Sequence, residues 1–164
     1  MKKTIEIIIY AFLIILFIAL QSTIFRYIAF LNCAPQIVLI LVVSVAVLRG
    51  PIAGVIVGLC AGLLVDFLGG GPIGFNSLLY MYIGLLVAWF SDRFYNTRYK
   101  VVLIFVIVAN VVYDLAYYFF LFVIWGKGDF IAALWKVMLP EIWWTLILAV
   151  PVFWVIEKID KRLT

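Results

Sequence analysis

Apolar residues run almost without interruption from Ile7 to Leu20 and continue towards Phe25, which predicts a first helix over Thr4 to Ile24. A polar and aromatic connection, Arg26 to Ala34, follows. Pro35 suits a helix start, because its ring pre-sets φ and it has no N–H to lose, so a short second helix is expected over Pro35 to Leu48. Arg49-Gly50-Pro51 then breaks the chain, a third helix spans Pro51 to Leu68, and Gly69-Gly70-Gly71-Pro72-Ile73-Gly74 breaks it again. Glycine and proline at that density do not sustain a helix. A fourth helix is expected over Phe75 to Phe90 and a fifth over Val101 to Trp125, joined by Ser91 to Lys100, the most polar interior stretch. Lys127, Gly128 and Asp129 mark a turn, the segment after Phe130 reads as interfacial, and a sixth helix covers Leu139 to Ile156, with Pro151 as its kink.

Composition turns this pattern into a fold class. Hydrophobic residues fill 69% of the 164 positions and charged residues 12%, against roughly 25% charged in a soluble domain. The runs approach the roughly 20 residues that cross a hydrocarbon core. The reading is all-α: one polytopic membrane domain over residues 1–164, a compact bundle of six transmembrane helices whose immediate partner is the lipid bilayer. The first run lacks a small-x-small cleavage site and is expected to be retained as a helix.

The net charge of +4 lies in the connections, so it reads as a topology signal and not as a nucleic-acid surface. With the amino terminus inside, nine basic residues face the cytoplasm and Arg26, Lys127 and Lys136 face out. Both termini are therefore expected in the cytoplasm. Trp89, Phe90, Trp125, Trp143, Trp144 and Trp154 fall near helix ends, where amphipathic rings favour headgroups. Cys33 and Cys60 read as small packing residues, and a chain without histidine has no usual zinc or copper ligand set, so no cofactor is expected.

Glycine recurs every fourth residue at Gly54, Gly58 and Gly62, Asp66 takes the next place, and Gly70 and Gly74 continue the spacing. On a helix this makes one slowly drifting ridge that admits another helix at close range. Either another helix of the bundle or a span of a partner protein can fill it. Asp66 and Asp114 are acids embedded in spans, and both fall roughly 20 Å in from the predicted cytoplasmic helix ends at ~1.5 Å per residue. An intramembrane acid is a functional hypothesis by default. The two could meet and share a proton or cation; structural pairing is the preferred reading, with Asp66 capping backbone N–H groups of the glycine turn and Asp114 beside Asn110 and Tyr117. Ser22, Thr23, Ser44, Ser77 and Ser91 offer hydroxyls but no base at matching depth, and Glu141 reads as a helix N-terminal charge. No enzyme is indicated.

Leu20-Gln21-Ser22-Thr23, Pro35-Gln36, Leu48-Arg49-Gly50-Pro51 and the block from Gly54 through Asp66, Gly70, Pro72-Ile73-Gly74 to Asn76 resemble the rod shape-determining protein MreD family over nearly the whole chain. The chain departs from the family at Gln36, where an acid is frequent, at Asp114, where glutamate is frequent, and at Gly69, where serine is frequent. The resemblance implies a non-enzymatic membrane scaffold of the bacterial cell-elongation complex, in the cytoplasmic membrane. Its implied partners are MreC, most directly, then MreB, RodA and a penicillin-binding transpeptidase; a second copy of the chain is a further one. The family is also similar in layout to the substrate-binding subunits of energy-coupling-factor vitamin transporters. That alternative needs an outward polar pocket, for which Arg26, Asn32, Gln36, Asn76, Asp129 and Lys136 are the candidates.

Overall fold

The computed structural model describes residues 2–24, 35–69, 72–91, 98–125 and 138–163. They form six α-helices: α1 (Lys2–Ala19, extended by a π-helical turn over Leu20–Ile24), α2 (Ile37–Arg49), α3 (Pro51–Gly69), α4 (Phe75–Ser91), α5 (Arg98–Trp125) and α6 (Leu139–Leu163). No strand occurs among the described residues. All six expected helices are present. α5 starts three residues earlier than the apolar run, and α6 continues past Ile156 through Lys158, Asp160 and Lys161. Apolarity locates the hydrocarbon core, whereas a helix of good formers extends beyond it. Pro35 and Gln36 precede α2 instead of opening it. Cys33, Gly70, the stretch from Phe130 to Val137 and the loop between α4 and α5 from Asp92 to Thr97 lie outside the described residues.

Within α1, α3, α5 and α6 are windows long and apolar enough to cross a membrane, and α4 has 17 residues. The shortest is α2. Its 13 residues rise about 20 Å, well short of a hydrocarbon core of about 30 Å. Every residue from Ile37 to Ala46 is buried, and α2 packs against all five other helices. A helix that is apolar all round belongs where protein surrounds it.

The surrounding helices turn large apolar side chains outward: Phe12 on α1, Phe67 on α3, Ile104 and Phe119 on α5, Ile147 on α6. Trp89 and Phe90 on α4 and Trp143, Trp144 and Trp154 on α6 are exposed as well. In water this shell would drive association; against lipid tails it meets its own kind. The chain is an integral, multi-pass membrane protein.

The most extensive helix pair is α3 with α4, and glycine makes it possible. A Cβ on Gly58 would lie 2.4 Å from the Tyr80 carbonyl oxygen, and one on Gly62 would lie 2.4 Å from Ser77 Cα. Nearer the other end Gly84 faces Gly54, where a Cβ on Gly84 would lie 2.5 Å from the Gly54 oxygen. The two backbones therefore touch along three turns, which brings dispersion contact where lipid offers no hydrophobic gain. The alternative of a partner span on this ridge gives way to this geometry, because α4 of the same chain fills it.

Gly58→Ala and Gly62→Ala should each destabilise the protein by about 1–3 kcal/mol through overpacking against backbone. Thermal unfolding in detergent checks this. Ile52→Ala, on an exposed side chain, should leave the midpoint nearly unchanged.

Candidate functional site

The break between α2 and α3 is a single residue. Gly50 donates its N–H to Ala46 O at 3.0 Å, closing α2, and its own carbonyl accepts from Gly54 N at 3.1 Å, opening α3. That double duty requires a φ of +85°, which glycine adopts without penalty. Pro51, next in line, has no N–H to satisfy. Arg49 is thereby held at one end of the bundle, where its Nε reaches Asp160 Oδ1 at 2.5 Å and its Nη1 reaches Glu6 Oε2 at 2.7 Å. Tyr10 donates to the same Asp160 oxygen at 3.0 Å, and the guanidinium lies over the Tyr10 ring, 5.2 Å from its centroid. One arginine thus ties α1, α2 and α6. Beside it Tyr99 of α5 donates to Glu157 of α6, which Lys161 pairs at 2.8 Å.

Asp66, near the end of α3, is 2% exposed. Its Oδ2 accepts from Gly74 N at 2.9 Å, Ser77 N at 3.2 Å and Ser77 Oγ at 3.0 Å. Its Oδ1 accepts from Asn76 N at 3.1 Å and Asn76 Nδ2 at 2.9 Å. An ionised carboxylate, which is all acceptor, suits this set of donors. The remaining first-turn donors of α4 are met locally, Phe75 N by Pro72 O at 3.2 Å and Leu78 N by the carbonyl of Gly74, whose φ is +97°. Asp66 therefore caps α4 from the neighbouring helix, with its charge at the positive end of the α4 dipole. Tyr113 of α5 extends the network, donating to Asn76 Oδ1 at 2.7 Å, and its ring stacks on Tyr80 at 5.5 Å between centroids.

The start of α2 is capped in the same borrowed manner. Gln36 N donates to Thr145 Oγ1 of α6 at 3.2 Å, and Val38 N donates to Gln21 Oε1 of the π-helical turn at 3.1 Å. Gln36 Nε2 also donates to Glu141 Oε1 at 2.7 Å. Glu141 thus bonds across to α2 instead of serving its own helix alone. Asn110 and Asp114 lie one turn apart on the buried face of α5.

The sequence-predicted residues therefore divide. Gly54, Gly58, Gly62 and Asp66 act on α4; Arg49, Gly50 and Pro51 form the link and clamp; Pro72 and Gly74 complete the second turn. No hydrogen bond joins Asp66 to Asp114 among the described residues, since the Asp66 oxygens are taken up by its own turn. Four of the five candidate hydroxyls are also committed: Ser22 donates to Ala19 O, Ser44 to Ile40 O, Ser91 to Ala88 O and Ser77 to Asp66. Sequence reasoning missed Glu6, Tyr10 and Asp160 as the partners of Arg49. The signal was there, because the positive-inside count puts Glu6 and Asp160 at the same level as Arg49, and a cation among apolar helix ends needs such acids.

Asp66→Asn presents an NH2 to backbone N–H donors, and should destabilise by about 1.5–3 kcal/mol, the range for hydrogen bonds to a charged group; equilibrium unfolding measures it. Arg49→Met, which strands two part-buried carboxylates, should cost more than Arg49→Lys, and adding Glu6→Gln with Asp160→Asn should recover much of the loss. Equal damage from both Arg49 variants, or no recovery, would contradict the clamp.

A family model described as rod shape-determining protein MreD matches residues 1–161 of the 164. No curated protein and no solved structure matches the chain. The chain belongs to the MreD family of rod shape-determining proteins, and its role lies in determining rod shape.

Proposed function

We propose that the protein is a non-enzymatic scaffold of the bacterial cell-elongation complex, seated in the cytoplasmic membrane with both termini inside. It packs against the membrane span of MreC and, through that contact, couples to MreB, to RodA and its penicillin-binding transpeptidase partner, and so to the control of peptidoglycan synthesis. One observation carries the reading: the glycine ridge, Asp66 and Arg49 are all engaged in contacts that hold the bundle together. What the bundle offers to others is its apolar circumference and its short ends. A partner span would accordingly meet lipid-facing side chains such as those of α1, α5 and α6, and a cytoplasmic filament would meet the end around Arg49 and the loop between α4 and α5.

The transporter-subunit alternative draws less support. Of its candidate pocket residues, Gln36 is bonded to Glu141, and Asn76 to Asp66 and Tyr113; Arg26, Asn32, Asp129 and Lys136 lie outside the described residues.

Affinity purification from native membranes after mild crosslinking tests both. The scaffold reading expects MreC in the eluate, lost on bulky substitution of lipid-facing positions that leave the unfolding midpoint unchanged. A retained vitamin with no MreC would reverse the assignment.

A further inference from the structure

Three side chains in the half of the bundle remote from Arg49 are more than nine-tenths buried yet incompletely bonded: Gln36, Asn110 and Asp114, at 7%, 1% and 7% exposure. Gln36 Oε1, Asp114 Oδ2 and both amide atoms of Asn110 have no hydrogen-bond partner among the described residues. In a bilayer no bulk water reaches such groups, and each one left bare is costly. They belong to one neighbourhood. Asn110 and Asp114 share a face of α5, Gln36 is bonded to Glu141 of α6, and Glu141 lies within electrostatic reach of Asp114. The helices α2, α5 and α6 pack pairwise against one another.

The inventory is lopsided. Three bare oxygens stand against one bare NH2, and two carboxyl groups lie within electrostatic reach of each other, while the described lysines and arginines sit at the opposite helix ends. Exchanging the Asn110 oxygen and nitrogen leaves that count unaltered. An excess of oxygen acceptors with negative charge suits a hard cation bound through oxygen. Among the described residues no group of three or more carboxylate, histidine or cysteine side chains could hold a metal ion, which disfavours a multivalent one.

We propose that Asp114, Glu141, Asn110 and Gln36 form an intramembrane site for one monovalent cation, either a proton or an alkali-metal ion, with water completing its surroundings. The cation joins α5 to α2 and α6. Among the described residues, further titratable groups near the pair include Tyr80 of α4, which is within electrostatic reach of Glu141, Asp66 and Asp114, and Tyr113 and Tyr117 of α5. Asp66 of α3 is committed to its turn, and Thr145 and Gln36 bring no charge.

The full chain in nanodiscs of neutral lipid provides the test. Thermal unfolding is followed across pH in choline buffer, and again at fixed pH with choline exchanged for sodium or potassium. A ligand that binds the folded state stabilises it, so each tenfold rise in the relevant cation above its Kd should raise the folding constant up to about tenfold. Lower pH then raises the midpoint in the proton arm, and added sodium or potassium raises it in the alkali arm. Asp114→Asn and Glu141→Gln should each remove the dependence. The infrared difference spectrum gives a readout on the wild type alone: a protonated buried carboxyl band in the proton arm, or a carboxylate band shifted by the alkali ion in the other. A wild type whose dependence matches that of the variants, or no carboxyl change in either arm, overturns the site. So does a loss of stability in Arg26→Gln or Lys136→Gln that Asp114→Asn repairs, since the positive charge would then come from the chain itself.

Discussion

Water does not reach the interior of a bilayer to satisfy backbone groups, so every N–H and C=O released where a helix begins or ends must be met by protein. The architecture of this chain is largely an answer to that constraint at two breaks. At Arg49-Gly50-Pro51 one glycine satisfies the end of α2 and the start of α3 in a single step. At the second break the Asp66 carboxylate gathers the free donors at the head of α4. The start of α2 is met by Gln21 and Thr145 from two other helices. The side chains that cap α2 and α4 each come from a different helix from the one they serve, so at these two starts capping and tertiary assembly become the same event.

Packing follows from the caps. Because Asp66 holds the head of α4 against the end of α3, the two helices start in register, and Gly62, Gly58 and Gly54 can then lie against Ser77, Tyr80 and Gly84 in order. That hairpin and the short α2 make an interior with little lipid contact along α2. The longer helices enclose it, and the Arg49 clamp draws α1 and α6 onto α2 at one end. A body built in this way is suited to presenting a fixed outer surface, as a scaffold requires.

Much of this was legible in the sequence, for identifiable reasons. Apolar runs of membrane length mark helices strongly, and glycine with proline marks their breaks, so the six helices and both links could be placed. The capping role of Asp66 was readable from its position beside a glycine turn. The occupant of the glycine ridge was not, because spacing shows that a helix approaches closely without saying which one. The reach of Glu141 to Gln36 was likewise hidden, since more than 100 residues separate the two and only the assembled bundle brings them together.

The central claim is that the buried Asp66 carboxylate closes the head of α4. Residue-resolved hydrogen exchange of the wild type in nanodiscs tests it at the bonds themselves. The amides of Gly74, Asn76 and Ser77 should exchange as slowly as the middle of α4. Exchange of these three at the rate of an open turn, with the rest of α4 protected, would contradict it.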